Sequence, residues 1–559
     1  MTGLKRDAAL DTLKLLSLTP SNCRRQLIMP SDDFCVADLL PSLEPTIAPP
    51  RPVIPTLAPR IIFSAPSQDP SSHALQQWVS TTHIYPAAWP RSHVRSAKSN
   101  IYDAYLPSTS SLGPLPSDPQ AAKAEQRRRR DADFEHWTQV CGGKEHEAQR
   151  EVMRTLRKGC LKSGHTQRIT EARTANEAQL WMTVNRIIPT PLEHDLEPNA
   201  RIKDSREGIT LVLAHANGFH KEIFEPALEA LVQKLQTEEF RGKYRIDEIW
   251  NFDCTHSGQA GSINRDVLGD TISWADHPRD MIKFLENYLP ETPSHPSAAP
   301  VWLPTFLPSH KTSSPKARRR VIGLGHSFGG ASLTFVLHAR PRMLEGLFLV
   351  DPAIVHCEDE EQFQFRNLFN DVWPPLTEVP LSRGAVARKD TFDSLPDARA
   401  YFESKPFFKV WHSRVLDLHL RFGLRPSAVP PSRALAADDL HENDLKRTTL
   451  ELNNTKWHEA AAFCSTWMGY IGRKGMLTTD HGAWIGMISM KGGFNNESLA
   501  AEIDKLDRGI SFTIEGNHLV AQEEPDALAA ALVKVLDVQS NAHALKEEKL
   551  HRQVQKPKL

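Results

Sequence analysis

The sequence predicts an α/β protein: a mainly parallel sheet flanked by helices, with a helical insertion and a long N-terminal arm. Three observations predict it. First, Val321-Ile322-Gly323-Leu324 reads as a buried strand, followed by Gly325-His326-Ser327-Phe328-Gly329 and an apolar helical stretch over residues 331–339. This is the G-x-S-x-G strand–turn–helix pattern. The serine sits on a strained turn, and small residues two positions either side keep clear of the adjacent backbone. Second, the runs at residues 209–214 (ITLVLA) and 346–350 (GLFLV) have no polar face, as expected of parallel strands covered on both sides. Third, such runs alternate with helical patterning, which implies right-handed crossovers.

At 559 residues, length alone suggests about three to four domains, an overcount if part of the chain has no core. Residues 1–120 hold 17 of the 41 prolines, with Ser and Thr between them. Such a composition buries too little apolar surface to offset its ordering entropy. It predicts a largely disordered arm with short anchored pieces near residues 61–63. Residues 121–175 read as a charged helical linker. Its arginine run at 127–130 has Asp131, Asp133 and Glu135 beside it, which favours a solvated helix face over a phosphate site.

The core is expected from residue 176 to 354. It begins with a strand at 181–188, continues with ITLVLA and a weaker strand at 246–252, and adds an amphipathic helix at 273–289. Residues 290–320, rich in Pro, Ser and basic side chains, read as a surface insertion before the G-x-S-x-G strand. Residues 355–480 show helical patterning without strong strands. Trp411, Val415, Leu418 and Phe422 fall at i, i+4, i+7 and i+11, one helical face. An insertion here belongs over the carboxyl ends of the strands, where open α/β sheets bind ligands, and so reads as a lid; helices packed on the side are the alternative. The core resumes at 481–540 with strands at 484–490 and 510–514 and a helix at 525–536, leaving a polar tail at 541–559.

The formal net charge of −1 gives no global field toward nucleic acid or anionic membrane. No apolar run reaches the roughly 18 residues of a transmembrane span, and the N-terminus lacks a signal-peptide core. Seven scattered cysteines without a C-x-x-C pair argue against a disulfide framework or zinc site and for a reducing compartment.

A serine at such a turn points to acyl transfer, which needs a base, an orienting acid and oxyanion donors. The chain order on this architecture is serine, acid, histidine. His518, in Glu515-Gly516-Asn517-His518 after the last strand, has the right place for the base among 24 histidines. One oxyanion donor is the N–H of Phe328, directly after Ser327. The other belongs to the loop His215-Ala216-Asn217-Gly218-Phe219-His220, with Asn217 or Phe219 as candidates. Asp351, at the end of GLFLVD, is the first candidate acid, ahead of Glu497 and Asp504. His215 and His220 could suggest a metal, but no carboxylate pattern joins them, so neither metal nor cofactor is expected.

The stretch from His215 to Glu222, His-Ala-Asn-Gly-Phe-His-Lys-Glu, together with Gly-His-Ser-Phe-Gly-Gly330, resembles the α/β-hydrolase superfamily. Within it, these motifs are similar to a group of fungal peroxisomal hydrolases that includes lipase-like and toxin-biosynthesis proteins. The resemblance covers residues 176–540, including Lys405-Pro406-Phe407-Phe408-Lys409. It implies the α/β-hydrolase fold with a lid. In the family the oxyanion loop begins His-Gly-X with X as donor. Counting from His215 makes X Asn217, and Phe224 and Pro226 then fall where the family has Trp and Pro. The family's acid most often follows the strand equivalent to 484–490. Here that loop reads Lys491-Gly492-Gly493-Phe494-Asn495-Asn496, with no carboxylate. The other known place is that of Asp351. Pro557-Lys558-Leu559 resembles the S-K-L peroxisomal address, implying a peroxisomal import receptor as partner and a matrix location; a plain basic tail on a cytoplasmic protein is the alternative. The resulting expectation is a serine hydrolase cleaving a carboxylic ester or acyl thioester of a lipid-like acyl substrate through an acyl-enzyme. An acyltransferase on the same triad and a non-catalytic binding protein are the rival readings.

Overall fold

The computed structural model describes residues 57–89, 116–137, 179–191, 208–291, 302–309, 319–354, 380–427, 442–464, 468–494 and 496–540, apart from 70, 71, 73, 266, 269–271, 273 and 479. The tripeptide Pro557-Lys558-Leu559 lies outside them, as do most of the linker expected at 121–175 and parts of the lid expected at 355–480. No helix among the described residues is long and apolar enough to cross a membrane.

One sheet of nine strands organises the described residues. In chain order its members are β1 Arg60–Pro66, β2 Leu75–Pro86, β3 Trp181–Pro189, β4 Ile209–Ala214, β5 Ile246–Phe252, β6 Arg320–His326 and β7 Gly346–Val350. Three short strands of the insertion follow, β8 Thr391–Phe392, β9 Leu424–Pro426 and β10 Leu450–Leu452, and then β11 Trp484–Gly492 and β12 Gly509–Asn517. The spatial order of the large sheet is β1-β2-β3-β5-β4-β6-β7-β11-β12. From β5 to β12 all neighbours are parallel, while β1, β2 and β3 add antiparallel pairs at one edge.

The apolar runs are continuous because each strand is covered twice. On β4, Leu211 and Leu213 pack with Phe224, Leu228 and Leu231 and with Leu528 and Leu532 on one face. Val212 and Ala214 pack with Phe284, Phe328 and Leu333 on the other. Helices Glu225–Leu235 and Pro525–Ser540 therefore cover one side, and Asp276–Asn287 and Phe328–Ala339 the other. Alternate residues of one run feed two hydrophobic cores, so the run is apolar on both faces except at Thr210, whose hydroxyl accepts from Arg319 Nη1 at 3.3 Å.

The arm expected at 1–120 needs correcting over its described part. Residues 60–86 supply two strands of the main sheet, where short anchored pieces near residues 61–63 were expected. Trp78 is fully buried and stacks on Phe63 at 5.6 Å. Tyr85 is also fully buried, and its hydroxyl donates to Asp280 O at 3.2 Å. Prolines averaged over 120 residues obscured two short segments whose prolines, Pro66 and Pro86, fall at strand ends, where no ladder hydrogen bond is lost. The segment read as a surface insertion at 290–320 also contributes. Ile84 N donates to Thr305 O at 2.7 Å, and Leu307 N to Ile84 O at 2.9 Å.

Between β7 and β11, the described part of the insertion has its own apolar cluster around Phe392, Phe402, Phe408, Trp411, Val415 and Leu450. The strands β8, β10 and β9 form a small antiparallel sheet there, where only helices were expected. The face read from Trp411 to Phe422 is divided. Trp411 and Val415 join that cluster, while Leu418 and Phe422 pack on each other. The insertion rests on loops at the carboxyl ends of core strands: Trp411 packs on Phe219 at 5.5 Å, and His412 N donates to Gln522 O at 2.8 Å. Helix Met468–Thr478, by contrast, lies against helix Phe328–Ala339. There Gly472 and Gly475 leave room for Thr334 and His338.

Candidate active site

The register sets the site. Ala214 pairs with Gly325, and His326 with Val350, so β4, β6 and β7 end side by side and the residues beyond them converge. Ser327 has φ 54° and ψ −118°, a conformation few L-residues hold without surrounding support. That support is on both sides of the peptide: Ser327 N donates to Val350 O at 3.0 Å, and Ser327 O accepts from Ala331 N at 3.1 Å and Ala353 N at 3.0 Å. The turn is tight enough that a Cβ on Gly325 would lie 2.5 Å from Gly330 N, and one on Gly329 would lie 2.1 Å from Ala214 O. Both glycines of the motif are therefore steric requirements.

Three side chains singled out from the sequence meet in one chain of hydrogen bonds. His518 Nδ1 lies 2.6 Å from Asp351 Oδ2, and His518 Nε2 lies 3.0 Å from Ser327 Oγ. A carboxylate only accepts, so Nδ1 carries the proton, and Nε2 is left to accept the Ser327 hydroxyl. Asp351 is fully buried with φ 36°. It also accepts from Phe494 N at 3.0 Å and Asn496 Nδ2 at 3.2 Å. The loop after β11, which lacks a carboxylate, thus supplies donors to a carboxylate from β7. A Cβ on Gly493 would lie 2.2 Å from Asp351 Oδ2, so the loop can approach only as glycine. The other candidate acids lie elsewhere: Asp504 accepts from Ser511 N at 2.7 Å and Ser511 Oγ at 3.0 Å, and Glu497 opens helix Glu497–Ile503.

The residue before the serine has a part that its motif position did not reveal. His326 Nε2 lies 2.7 Å from His518 O and, as N–H, fixes the backbone of that histidine. Burial, reinforced by His518 nearby, pushes the His326 imidazole down to about 3, which keeps it neutral. The ring of Phe494 flanks His518 at 4.2 Å.

On the other side of Ser327, Phe328 is buried at the first position of its helix. Asn217 is nearly buried, and its Nδ2 donates to Glu459 O of the insertion at 3.2 Å. Phe219 N reaches Ala216 O at 3.4 Å within the loop's own turn, an engagement that separates it from Asn217. His215 and His220 have local partners: His215 Nδ1 lies 2.8 Å from Ala216 O, and His220 Nδ1 lies 2.9 Å from Glu222 Oε2.

Beneath this loop lies a buried charge cluster. Lys221 Nζ donates to Asp253 Oδ2 at 2.6 Å and Gln259 Oε1 at 2.8 Å, and Lys221 N donates to Asp253 Oδ1 at 3.0 Å. Asp253 Oδ2 also accepts from Thr183 Oγ1 at 2.7 Å. Burial disfavours the Lys221 ammonium, yet Asp253 and Glu222 more than offset this, and its pKa stands above the ordinary lysine value. Such a pair is costly to break from one side, because the survivor is left charged and dry. The cluster therefore holds the loop from below. The Lys221-Glu222 part was visible in the sequence only as a motif; its partner Asp253, just beyond β5, carried no local signal.

Residues 211–531 match the alpha/beta hydrolase family, and the chain belongs to it. Among curated proteins, the type I acyl-CoA thioesterase mpaH of Penicillium roqueforti (strain FM164) is 26% identical over 267 residues, covering 46% of this chain and 50% of that protein. The type I acyl-CoA thioesterase mpaH of Penicillium brevicompactum is 28% identical over 188 residues, covering 32% of this chain and 36% of that protein. The matches thus span half or less of these relatives' length. Among solved structures, the peroxisomal alpha-beta-hydrolase Lpx1 of Saccharomyces cerevisiae aligns over 68% of this chain and 92% of its own, with 18% identity and a TM-score of 0.44.

Proposed function

We propose that this protein is a serine hydrolase that cleaves a carboxylic ester or an acyl thioester through an acyl-enzyme. The observation that carries the proposal is His518, which bridges Ser327 Oγ and Asp351 at a strained strand-to-helix turn. In this reading Ser327 Oγ attacks the substrate carbonyl while His518 Nε2 takes its proton. Asp351 holds the imidazole in the Nδ1–H tautomer and stabilises the imidazolium that forms. The N–H groups of Phe328 and Asn217 receive the developing oxyanion. Collapse of the tetrahedral intermediate breaks the carbonyl–leaving-group bond, and His518 returns the proton to the departing alkoxide or thiolate. Water, deprotonated by His518, then repeats the sequence on the acyl-serine and releases the acid. The acyl-CoA thioesterases among the relatives favour a thioester. Asp351 against His518 also supports an enzyme over the binding-protein reading, which had two motives, the missing carboxylate after β11 and the long N-terminal arm; it bears on the first of them.

The test is a fluorophosphonate probe together with a panel of p-nitrophenyl esters and acyl-CoA thioesters. Wild type should label at Ser327 and turn over at least one class. Ser327→Ala should abolish labelling and lower turnover by about 10⁶, as for nucleophile removal in a comparable triad. A folded wild-type protein that neither labels nor turns over any panel member would refute the proposal.

A further inference from the structure

Helix Lys456–Cys464 belongs to the insertion, yet it reaches toward both backbone groups assigned above as oxyanion donors. Its Glu459 carbonyl accepts from Asn217 Nδ2 at 3.2 Å. Its Ala462 carbonyl accepts from Trp274 Nε1 at 2.7 Å. The Trp274 ring stands edge-on to Phe328, with centroids 4.8 Å apart. Ala462 lies in the last turn of this helix, where backbone carbonyls have no intrahelical partner and accept from outside. A single helix therefore ties down Asn217 directly and Phe328 through a rigid aromatic contact.

Four further contacts fix the register of this helix. The Glu459 side chain is buried against Gly218: a Cβ there would lie 3.0 Å from the Glu459 carboxyl, and the φ of 89° already excludes most side chains. Its carboxylate pairs with Arg388, also of the insertion. Around the helix, Ser382 Oγ donates to Ala460 O at 2.8 Å. Just before it, Asn453 Oδ1 accepts from Ser262 Oγ at 2.5 Å, which anchors the insertion to core helix Gly258–Asn264. The helix can therefore not slide without breaking contacts to the core on two sides of the oxyanion loop.

We propose that helix Lys456–Cys464 sets the oxyanion hole, with Asn217 (through its side chain) and Trp274 as positioning residues, so that the hole is assembled only when the insertion is seated. This rests on the serine-hydrolase reading. Its consequence is a division of labour: the insertion acts on transition-state stabilisation, where a misplacement of about 1 Å costs on the order of 100-fold, and not merely on substrate access.

Two conservative variants test it. Asn217→Ala removes the tether but keeps the backbone N–H. Trp274→Phe keeps a ring against Phe328 but removes the Nε1–H. For a short soluble p-nitrophenyl ester, each should lower kcat by about 10–100-fold with KM within about twofold, and slow fluorophosphonate labelling in proportion. Because both act through one helix, the double variant should lose less than the product of the two. Should either variant be insoluble, Glu459→Gln, which keeps volume but ends the pairing with Arg388, should give the same split between kcat and KM. If folded variants keep kcat within about twofold of wild type and lose only melting temperature, the contacts are packing and the proposal fails. A wild-type protein that does not label at Ser327 would overturn the underlying hydrolase reading instead.

Discussion

On the acid side of the site, the described contacts to Asp351 and His518 come from the core sheet and the loops that leave it: Phe494 and Asn496 after β11, and His326 at the end of β6. On the oxyanion side, Asn217 is held from below by a loop anchored through Lys221 and Asp253, and from above by Glu459 of the insertion. The acid side is thus built once the sheet is built, and its order is stored locally, in backbone held at φ 54° and φ 36°. Both sides join distant segments, 167 residues apart for His518 and Asp351 and 242 for Asn217 and Glu459, but the oxyanion side draws on the insertion. Loss of the insertion should leave the first intact and disorganise the second, so the two halves answer to different perturbations.

The largest expected effect breaks the acid side alone. Asp351→Asn should lower turnover per folded molecule by about 10⁴, as in a comparable triad, because an amide cannot stabilise the imidazolium. Asp504→Asn should leave turnover nearly unchanged and cost stability at the start of β12, where it caps Ser511. Measuring kcat and melting temperature for both decides the assignment. A folded Asp351→Asn protein with near-normal turnover would remove Asp351 from the mechanism.

A smaller effect separates the site from the edge of the sheet that carries none of it. Trp78→Ala should destabilise by about 3–5 kcal/mol, the usual cost of deleting a buried aromatic, while turnover per folded molecule stays near wild type. Urea unfolding followed alongside ester turnover reads both. Stability within about 1 kcal/mol of wild type would mean that β1 and β2 do not belong to the cooperative core.

The effect smallest per group is graded with pH. Burial lowers the His83 imidazole to about 4 and His326 to about 3, and it holds His419 of the insertion well below its ordinary value. These groups stay neutral when folded, whereas in the unfolded chain they take up a proton near pH 6.5. The unfolded state therefore binds more protons below that pH, and stability falls as pH drops from about 6.5 toward about 3. Between pH 6.5 and 5 the loss approaches about 2 kcal/mol for each imidazole that remains neutral. Urea midpoints at pH 7 and pH 5 measure it; an unchanged or higher midpoint at pH 5 would contradict it. Since His326 lies at the acid side and His419 in the insertion, His419→Phe should reduce the slope without altering the Ser327–His518–Asp351 geometry.

What could be read from the sequence follows from how local each signal is. The strand at 209–214 was legible to the residue because two cores make it apolar on both faces, with Thr210 the one polar member, and the serine turn because two glycines are fixed by contacts under 3 Å. Ser327, Asp351 and His518 follow one another in the order that the fold imposes. β1 and β2 were hidden because composition was averaged over a segment in which they are a minority. Glu459, Trp274 and Asp253 escaped because each matters through one distant partner, with no repeat, spacing or charge run to mark it. The division of the Trp411–Phe422 face escaped for a related reason: periodicity shows that a side is buried, not which neighbour buries it.

Gly493 carries a consequence for how such sites change over time. A side chain there would occupy the volume filled by the Asp351 carboxylate. The end of β7 and the loop after β11 therefore aim at one point in space, and only one of them can fill it. A lineage that relocates its acid between these positions cannot pass through an intermediate bearing both in this backbone. It must pass through one bearing neither, or reshape the loop first. The bare loop Lys491-Gly492-Gly493-Phe494 is then the complement of Asp351, and the two are expected to be exchanged together.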